Sequence, residues 1–385
     1  MPGFDYYNPV RLLFGEGAFK RLGECVLPAE RHALLVTGRG SARKLGYLQQ
    51  ALDMLRAADL DVTVFDEIPP NPTDEIVDRG GALARDHQCD LVIGLGGGSA
   101  MDAAKGIAVA ATHDFPIREF LVADAAGNKR LPTDKTLPIL CVTTTAGTSS
   151  ELTPFAVITT VDATQKSAIG DPHCYARVGI CDPELTYAVP AEVTAATGVD
   201  ILCHAVEGYV STKAGPLTDH AAEQAIALVG QYLPRIMADL EDKDARHHLS
   251  LANVFAGVPL SNCGANIMHG LEHPVSAHHP DVAHGAGLAS LLVAYARTCH
   301  GVAPAKFARI SALLGGPEDP ASAAEAFETL LQTVGLNIGL SSLGVTPDLL
   351  ETLADDALRY MGGAISNTPG CPGRDCLLDI LRASL

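Results

Sequence analysis

Asp200 and His204 stand four residues apart within Thr197–Ser211, TGVDILCHAVEGYVS, a stretch that otherwise reads as an apolar helix. At that spacing both side chains lie on one helix face. A carboxylate and an imidazole converging from one rigid helix make half of a divalent-metal site if the chain supplies two more ligands; taken alone, they also read as a hydrogen-bonded or ion-paired couple. Residues 269–284, HGLEHPVSAHHPDVAH, carry five of the fourteen histidines. Histidines so concentrated bind metal, move protons or line a polar cleft. His269 and His273 form another i, i+4 pair before Pro274, and His284 opens the next apolar helix just before Gly285. One carboxylate and three imidazoles suit Fe(II) or Zn(II), and an open coordination position suits catalysis. Spacing leaves open which three of the five histidines bind. His278 and His279, beside Pro280 and Asp281, read as exposed loop residues.

Two further stretches have the chemistry of phosphate binding. Gly94–Lys105, GLGGGSAMDAAK, follows a predicted strand and opens a predicted helix, so its glycines allow close backbone approach and its free N–H groups can meet an anion. It departs from the usual dinucleotide fingerprint, because Ser99 occupies the third glycine position. Thr143–Glu151, TTTAGTSSE, also ends a strand, and its hydroxyls could bind phosphate or ribose or cap the next helix. An acidic residue at the end of the first strand would bond a ribose 2′-hydroxyl and repel a 2′-phosphate. In Thr37–Lys44, TGRGSARK, there is none; Gly38, Arg39, Gly40, Ser41 and Lys44 are small, hydroxylic or basic, which favours NADP(H) over NAD(H).

The elements that must position these residues alternate in the first half. His32–Val36, Asp61–Asp66, Asp90–Leu95 and Thr136–Thr144 read as buried strands, with helical stretches Ser41–Ala58, Thr73–Gln88 and Ser99–His113 between them. That alternation predicts a mostly parallel sheet with helices on both faces, the class that binds ligands at the carboxyl ends of its strands. After residue 186 the strand-like runs stop and long Ala/Leu-rich patterns follow one another. Two domains are expected, an α/β nucleotide-binding domain over 1–186 and an all-helical metal-binding and substrate domain over 187–385.

The net charge of −18 is spread along all 385 residues, which speaks for a soluble protein and against a nucleic-acid partner. No basic, apolar leader and no run of about 18 apolar residues is present, so a cytoplasmic protein without a membrane span is expected. The ten cysteines are scattered without a CxxC pair, and Cys141, Cys181 and Cys203 sit in apolar runs as buried thiols.

TGVDILCHAVEGYVS, GLGGGSAMDAAK, TTAGTSSELTPFAVIT and HGLEHPVSAHHPDVAHG together resemble the iron-dependent (group III) alcohol dehydrogenases, and the likeness runs from NPVRLLFGEGA through ICDPELT into the helical half. The resemblance implies a dehydroquinate synthase-like architecture, an α/β dinucleotide-binding domain plus an all-α domain with the active site in the cleft between them. It implies NAD(P)-linked interconversion of alcohols and aldehydes, and a homodimer, since many members form dimers. By position it implies Asp200, His204, His269 and His284 as ligands of Fe2+, or Zn2+, and His273 as a cleft histidine beside the substrate. It further implies Gly97, Gly98, Ser99 and Asp102 as pyrophosphate and ribose contacts, Thr144, Thr145 and Thr148 as the second nucleotide loop, and Asn71 and Lys166 as further cofactor contacts.

Three departures from the family pattern stand out. Ser149 replaces a glycine in TTAGTGSE, the loop between His269 and His284 is one residue longer, and Gly38 stands where many NAD-specific members carry Asp. The longer loop must bulge between 275 and 283. The expected chemistry is hydride transfer between nicotinamide C4 and a small alcohol or aldehyde polarised by the metal, with His273 relaying the proton to solvent. Competing readings are a glycerol dehydrogenase-like polyol oxidoreductase, a non-redox metal-dependent hydrolase on a nucleotide-binding fold, and a catalytically silent nucleotide-binding protein.

Overall fold

A computed structural model describes residues 3–123, 128–161, 164–370 and 372–385. The chain divides into two compact units. An α/β unit comprises Asn8–Thr145 and Ser150–Ala188; a helical unit comprises Ala146–Ser149, Val189–Leu385 and the described residues before Asn8.

The α/β unit runs β1 (Arg11–Phe14), β2 (His32–Gly38), α1 (Ser41–Lys44), α2 (Tyr47–Ala57), β3 (Asp61–Ile68), α3 (Asp74–Asp86), β4 (Leu91–Gly96), α4 (Gly98–Ala110), α5 (Arg118–Leu121), β5 (Ile139–Thr143), β6 (Phe155–Thr160), β7 (Gln165–Gly170) and β8 (Val178–Cys181). Six strands form one sheet in the order β1-β8-β5-β4-β2-β3, every pair parallel. Covered on both faces, β4 and β5 are buried at every residue, which is why their sequences read as unbroken apolar runs rather than alternating ones. Side chains still alternate between the faces: Leu34 and Val92 join the core that contains Ile107, while Leu35 and Ile93 join the one that contains Leu55. A separate antiparallel hairpin, β6–β7, is tied to the segment after β3 by Thr159 N–H donating to Pro72 O at 2.9 Å.

All four strands read from the sequence are present. The helical stretch 41–58 is broken at Gly46, whose φ of 80° ends α1 and starts α2. Sequence patterning passed over β6 and β7 of the hairpin as well as β1 and β8, the last two only four residues each, where RLLF opens on an exposed Arg and VGIC is interrupted by Gly.

The helical unit contains α6 (Ala191–Val210), α7 (Pro216–Ala238), α8 (Lys243–Cys263), α9 (Ile267–His278), α10 (His284–Cys299), α11 (Pro304–Leu313), α12 (Ala323–Thr333), α13 (Leu350–Tyr360), α14 (Gly362–Ile365) and α15 (Arg374–Ala383). Every residue of α6 from Gly198 to Val210 is buried, and the helix packs against α7, α8 and α10, as expected of a helix apolar all round. Val199, Ile201, Leu202 and Val206 anchor it in the core.

The expectation of exposed loop histidines at 278 and 279 is overturned: α9 continues through Pro274 to His278, packed against α13 and α14, burial there outweighing the one backbone hydrogen bond that proline forfeits. His278 is therefore a half-buried helical residue whose Nε2 hydrogen-bonds Asp356 Oδ2 at 2.9 Å, and His279 is half-buried as well, so neither is an exposed loop histidine. The connection between α9 and α10 is confined to residues 279–283. Among the described residues no helix is long and apolar enough to cross a membrane, and the nine described cysteines are free thiols, Cys141, Cys181 and Cys203 buried; Cys371 lies outside the described residues.

Candidate metal centre and nucleotide loops

Three helices of the helical unit converge on one carboxylate oxygen. Asp200 Oδ1, on α6, lies 3.5 Å from His204 Nδ1 on the next turn, 3.5 Å from His269 Nε2 on α9 and 3.8 Å from His284 Nε2 at the start of α10. Ligand atoms from Asp200, His269 and His284 all lie within 4.8 Å of one another. His204 stands beside that set, its ring stacked on His269 with centroids 4.5 Å apart. His273 is buried next to it, its ring 6.2 Å from that of His269 and 5.7 Å from that of His284.

These separations are too long for good hydrogen bonds, and Asp200 Oδ1, His204 Nδ1 and His269 Nε2 are all buried without a hydrogen-bond partner. Three converging orphaned polar atoms would be costly unless something sits among them. Ligands bound tetrahedrally at about 2.1 Å to one ion are themselves about 3.4 Å apart, close to the spacing found. The residues present therefore fit a divalent cation, and the mix of imidazole nitrogen with one carboxylate suits Fe(II) or Zn(II).

Charge supports the same picture. Burial pulls the His204 imidazole down to about 4, so it is neutral and free to coordinate. Burial also works against charge on His269, but Glu207 and Asp200 outweigh it and push that imidazole up to about 10. Burial would raise the Asp200 carboxyl, yet His204, His269 and His284 together hold it well below the carboxylate range.

Two residues that sequence reasoning passed over stand behind the ligands. Glu207 on α6 contacts His269 Nδ1, and Glu272 on α9 contacts His284 Nδ1. Both are fully buried. Each had a signal: an acidic residue inside an apolar run, Glu207 on the stripe of Asp200 and His204, and Glu272 within HGLEHP. The approach of α10 to α6 depends on Gly285, because a Cβ there would stand 1.9 Å from the carbonyl oxygen of Ala196. That contact sets His284 opposite Asp200.

In the α/β unit the expected cofactor residues gather at the carboxyl ends of three adjacent strands, β5, β4 and β2. Gly96 ends β4 with φ 157°, Gly97 caps α4 in an extended conformation, and Gly98 and Ser99 form its first turn with N–H groups available to an anion. Thr144 N–H donates to Gly96 O at 2.9 Å, and a Cβ on Gly97 would lie 3.2 Å from Thr145 Oγ1, so the two loops share one edge. Gly38 ends the neighbouring β2 and exposed Ser41 begins α1. Asn71, with φ 51°, and Lys166, buried on β7 opposite Thr159, are brought to the same segment by the Thr159–Pro72 hydrogen bond.

Asp102 has both oxygens engaged inside the protein, accepting from Ser150 Oγ at 2.5 Å and from Val157 N–H at 3.1 Å, and burial pushes its carboxyl above the usual range. One turn on, the fully buried Lys105 ammonium donates to Ser150 O and Oγ, Thr153 O and Phe155 O at 2.7–2.9 Å, fastening the segment after the second loop to α4. Thr148 belongs to the stretch Ala146–Ser149 that groups with the helical unit. There Asn253 Oδ1 accepts from Gly147 N–H and Ser149 N–H, both at 2.9 Å, while Ser149 Oγ donates to Asn253 O at 2.7 Å. Ser149 thus holds the left-handed conformation (φ 51°) in place of a glycine, with Asn253 as its clamp.

Two family models match the chain, one described as iron-containing alcohol dehydrogenase over residues 9–183 and one described as the C-terminal part of the Fe-containing alcohol dehydrogenase family over residues 194–385. A 1,3-propanediol dehydrogenase of Klebsiella pneumoniae is 38% identical over 373 residues, covering 94% of each chain. The solved structure of an archaeal halo-thermophilic Red Sea brine pool alcohol dehydrogenase superposes with a TM-score of 0.96 at 34% identity, covering 100% of this chain and 99% of that one. An NADH-dependent butanol dehydrogenase A from Thermotoga maritima superposes with a TM-score of 0.90 at 26% identity, again covering 100% and 99%.

Proposed function

The chain belongs to the iron-containing alcohol dehydrogenase family, and from that premise we propose that it interconverts a small alcohol and its aldehyde with NADP(H) favoured over NAD(H). The observation that carries the reading is the convergence of the buried, unpartnered Asp200 Oδ1, His204 Nδ1 and His269 Nε2. Asp200, His204, His269 and His284 would hold Fe2+, with Zn2+ an acceptable substitute for the same donors. When bound, the ion supplies Lewis-acid polarisation of the substrate oxygen.

The chain's own residues do the rest. Gly97, Gly98 and Ser99 offer the N–H groups of the α4 terminus to the cofactor pyrophosphate, and Thr144 and Thr145 border the same edge. The reaction moves a hydride between the carbinol carbon and nicotinamide C4 and releases one proton on oxidation. A ring nitrogen of His273, buried beside the ligand histidines, takes that proton and passes it to solvent. The preference for NADP(H) is supported at Gly38, which brings no carboxylate of its own to the end of β2 and where a Cβ would find its nearest neighbour, Ile68 O, 3.6 Å away. Arg39 reaches Glu67 O through Nε at 3.1 Å and so stays at the carboxyl end of β3, beside that position. We also propose a homodimer in solution, read by light scattering.

The test is reduction of a panel of short aldehydes by protein loaded with Fe2+ or Zn2+, followed at the reduced-nicotinamide absorbance with NADPH and NADH. Faster turnover with NADPH, reversed by Gly38→Asp, is expected. Equal or better use of NADH would end the cofactor assignment, and no redox turnover with either metal would favour the hydrolytic or silent readings. An unchanged rate and pH profile in His273→Ala would remove that histidine from the proton path.

A further inference from the structure

We propose that Glu207 and Glu272 are positioning residues of the metal centre, each holding Nδ1 of one ligand histidine so that Nε2 of His269 and of His284 is the coordinating atom. The proposal rests on the metal-site reading above. Both glutamates are fully buried, and a carboxylate enclosed in an apolar helical core is retained only when it is matched by donors.

Glu207 lies seven residues beyond Asp200 and three beyond His204, on the same stripe of α6. Its Oε1 accepts from the free first-turn N–H groups of α9, Met268 at 2.7 Å and His269 at 3.1 Å, while Oε2 contacts His269 Nδ1. Its backbone carbonyl accepts from Asn266 Nδ2 at 3.0 Å, and Asn266 itself caps α9. One residue therefore fastens both the main chain and the imidazole of His269 to the helix that carries Asp200.

Glu272 repeats the device one helix on. Its Oε1 accepts from Ser276 Oγ and its Oε2 contacts His284 Nδ1 at the N-terminus of α10, where a negative charge is also favoured by the helix dipole. Gly287 makes the room, since a Cβ there would stand 2.9 Å from Glu272 Cγ. A carboxylate against Nδ1 requires that nitrogen to carry the proton, which leaves the lone pair on Nε2. Both Nε2 atoms face Asp200 Oδ1, at 3.5 and 3.8 Å. His204 differs, turning Nδ1 to the same oxygen.

The two carboxylates are not equivalent to an amide. At position 207 three donors converge, so a glutamine would turn its NH2 group onto one of them. At 272 the Ser276 hydroxyl can reverse its role and accept from the amide.

The test uses metal-free full-length protein titrated with Co2+, whose visible spectrum reports ligand geometry, and with Zn2+ in competition. Glu207→Gln and Glu272→Leu are expected to bind about 10- to 100-fold more weakly than wild type with altered Co2+ spectra, and Glu272→Gln to lose less than either. Circular dichroism and Tm record whether each variant is folded. Should Glu207→Gln fail to fold, the two Glu272 variants decide the matter through a separate contact. Affinities within twofold of wild type and superimposable Co2+ spectra would overturn the proposal. A wild-type chain that binds neither ion would instead sink the metal site itself, and shows up before any variant is compared.

Discussion

Replacing Gly285 by Ala should dismantle the metal centre without touching a ligand. A Cβ at that position would lie 1.9 Å from Ala196 O, 2.5 Å from Ala196 C and 3.0 Å from Ala196 Cα, all backbone atoms of α6 that no rotamer change can move. Reaching even the 3.0 Å below which real Cβ atoms essentially never stand requires α10 to retreat by about 1.1 Å. His284 precedes Gly285 at the start of the same helix and would travel with it. Metal–ligand distances tolerate only about ±0.2 Å, so a shift of that size takes one of the four proposed ligands out of reach. The overpacking itself should cost about 1–3 kcal/mol. Affinity for Zn2+ is therefore expected to fall by at least about tenfold, and turnover by on the order of a hundredfold, the penalty typical of a 1 Å misplacement. Metal content after dialysis, and the rise in Tm on adding Zn2+, measure the first directly. Gly363→Ala is the control, since a Cβ there meets nothing within 4 Å. If Gly285→Ala kept the metal content and the metal-dependent Tm rise of wild type, the idea that this glycine seats His284 would be wrong.

Metal uptake should depend steeply on pH. His269, pushed up to about 10 mainly by Glu207 acting against burial, must shed one proton to coordinate, whereas His204, held down to about 4 by burial, sheds none near neutrality. The apparent Zn2+ affinity should accordingly climb about tenfold per unit between roughly pH 6 and 8, and an isothermal titration showing a flat dependence would contradict the assigned charges. Asn253→Ala should leave the buried N–H groups of Gly147 and Ser149 without their acceptor. At about 1–3 kcal/mol for each donor, urea unfolding should show a clear loss of stability, accompanied by weaker NADPH binding in a fluorescence titration; unchanged values would mean the clamp on Ser149 is dispensable.

Much of this was legible from local spacing. Asp200 and His204 share a helix face because four residues make about one turn, and β2, β4 and β5 announce themselves because strands buried on both faces are apolar throughout. Gly96 and Gly97 could be read as a phosphate loop from their place between strand and helix. Other features had no local signal. His278 and His279 look like exposed loop residues beside Pro280, yet α9 runs through Pro274 to His278 because the helices packed against it decide. Glu207 and Glu272 could be noticed as buried acids but not matched to His269 and His284, since each pairing joins different helices. The same holds for Asn253, whose partners lie more than a hundred residues earlier in the chain. Periodicity reports which way a side chain points from its own backbone. Which backbone it then meets is set by packing, as at Gly285, where a missing Cβ has meaning only because the carbonyl of Ala196 occupies its place.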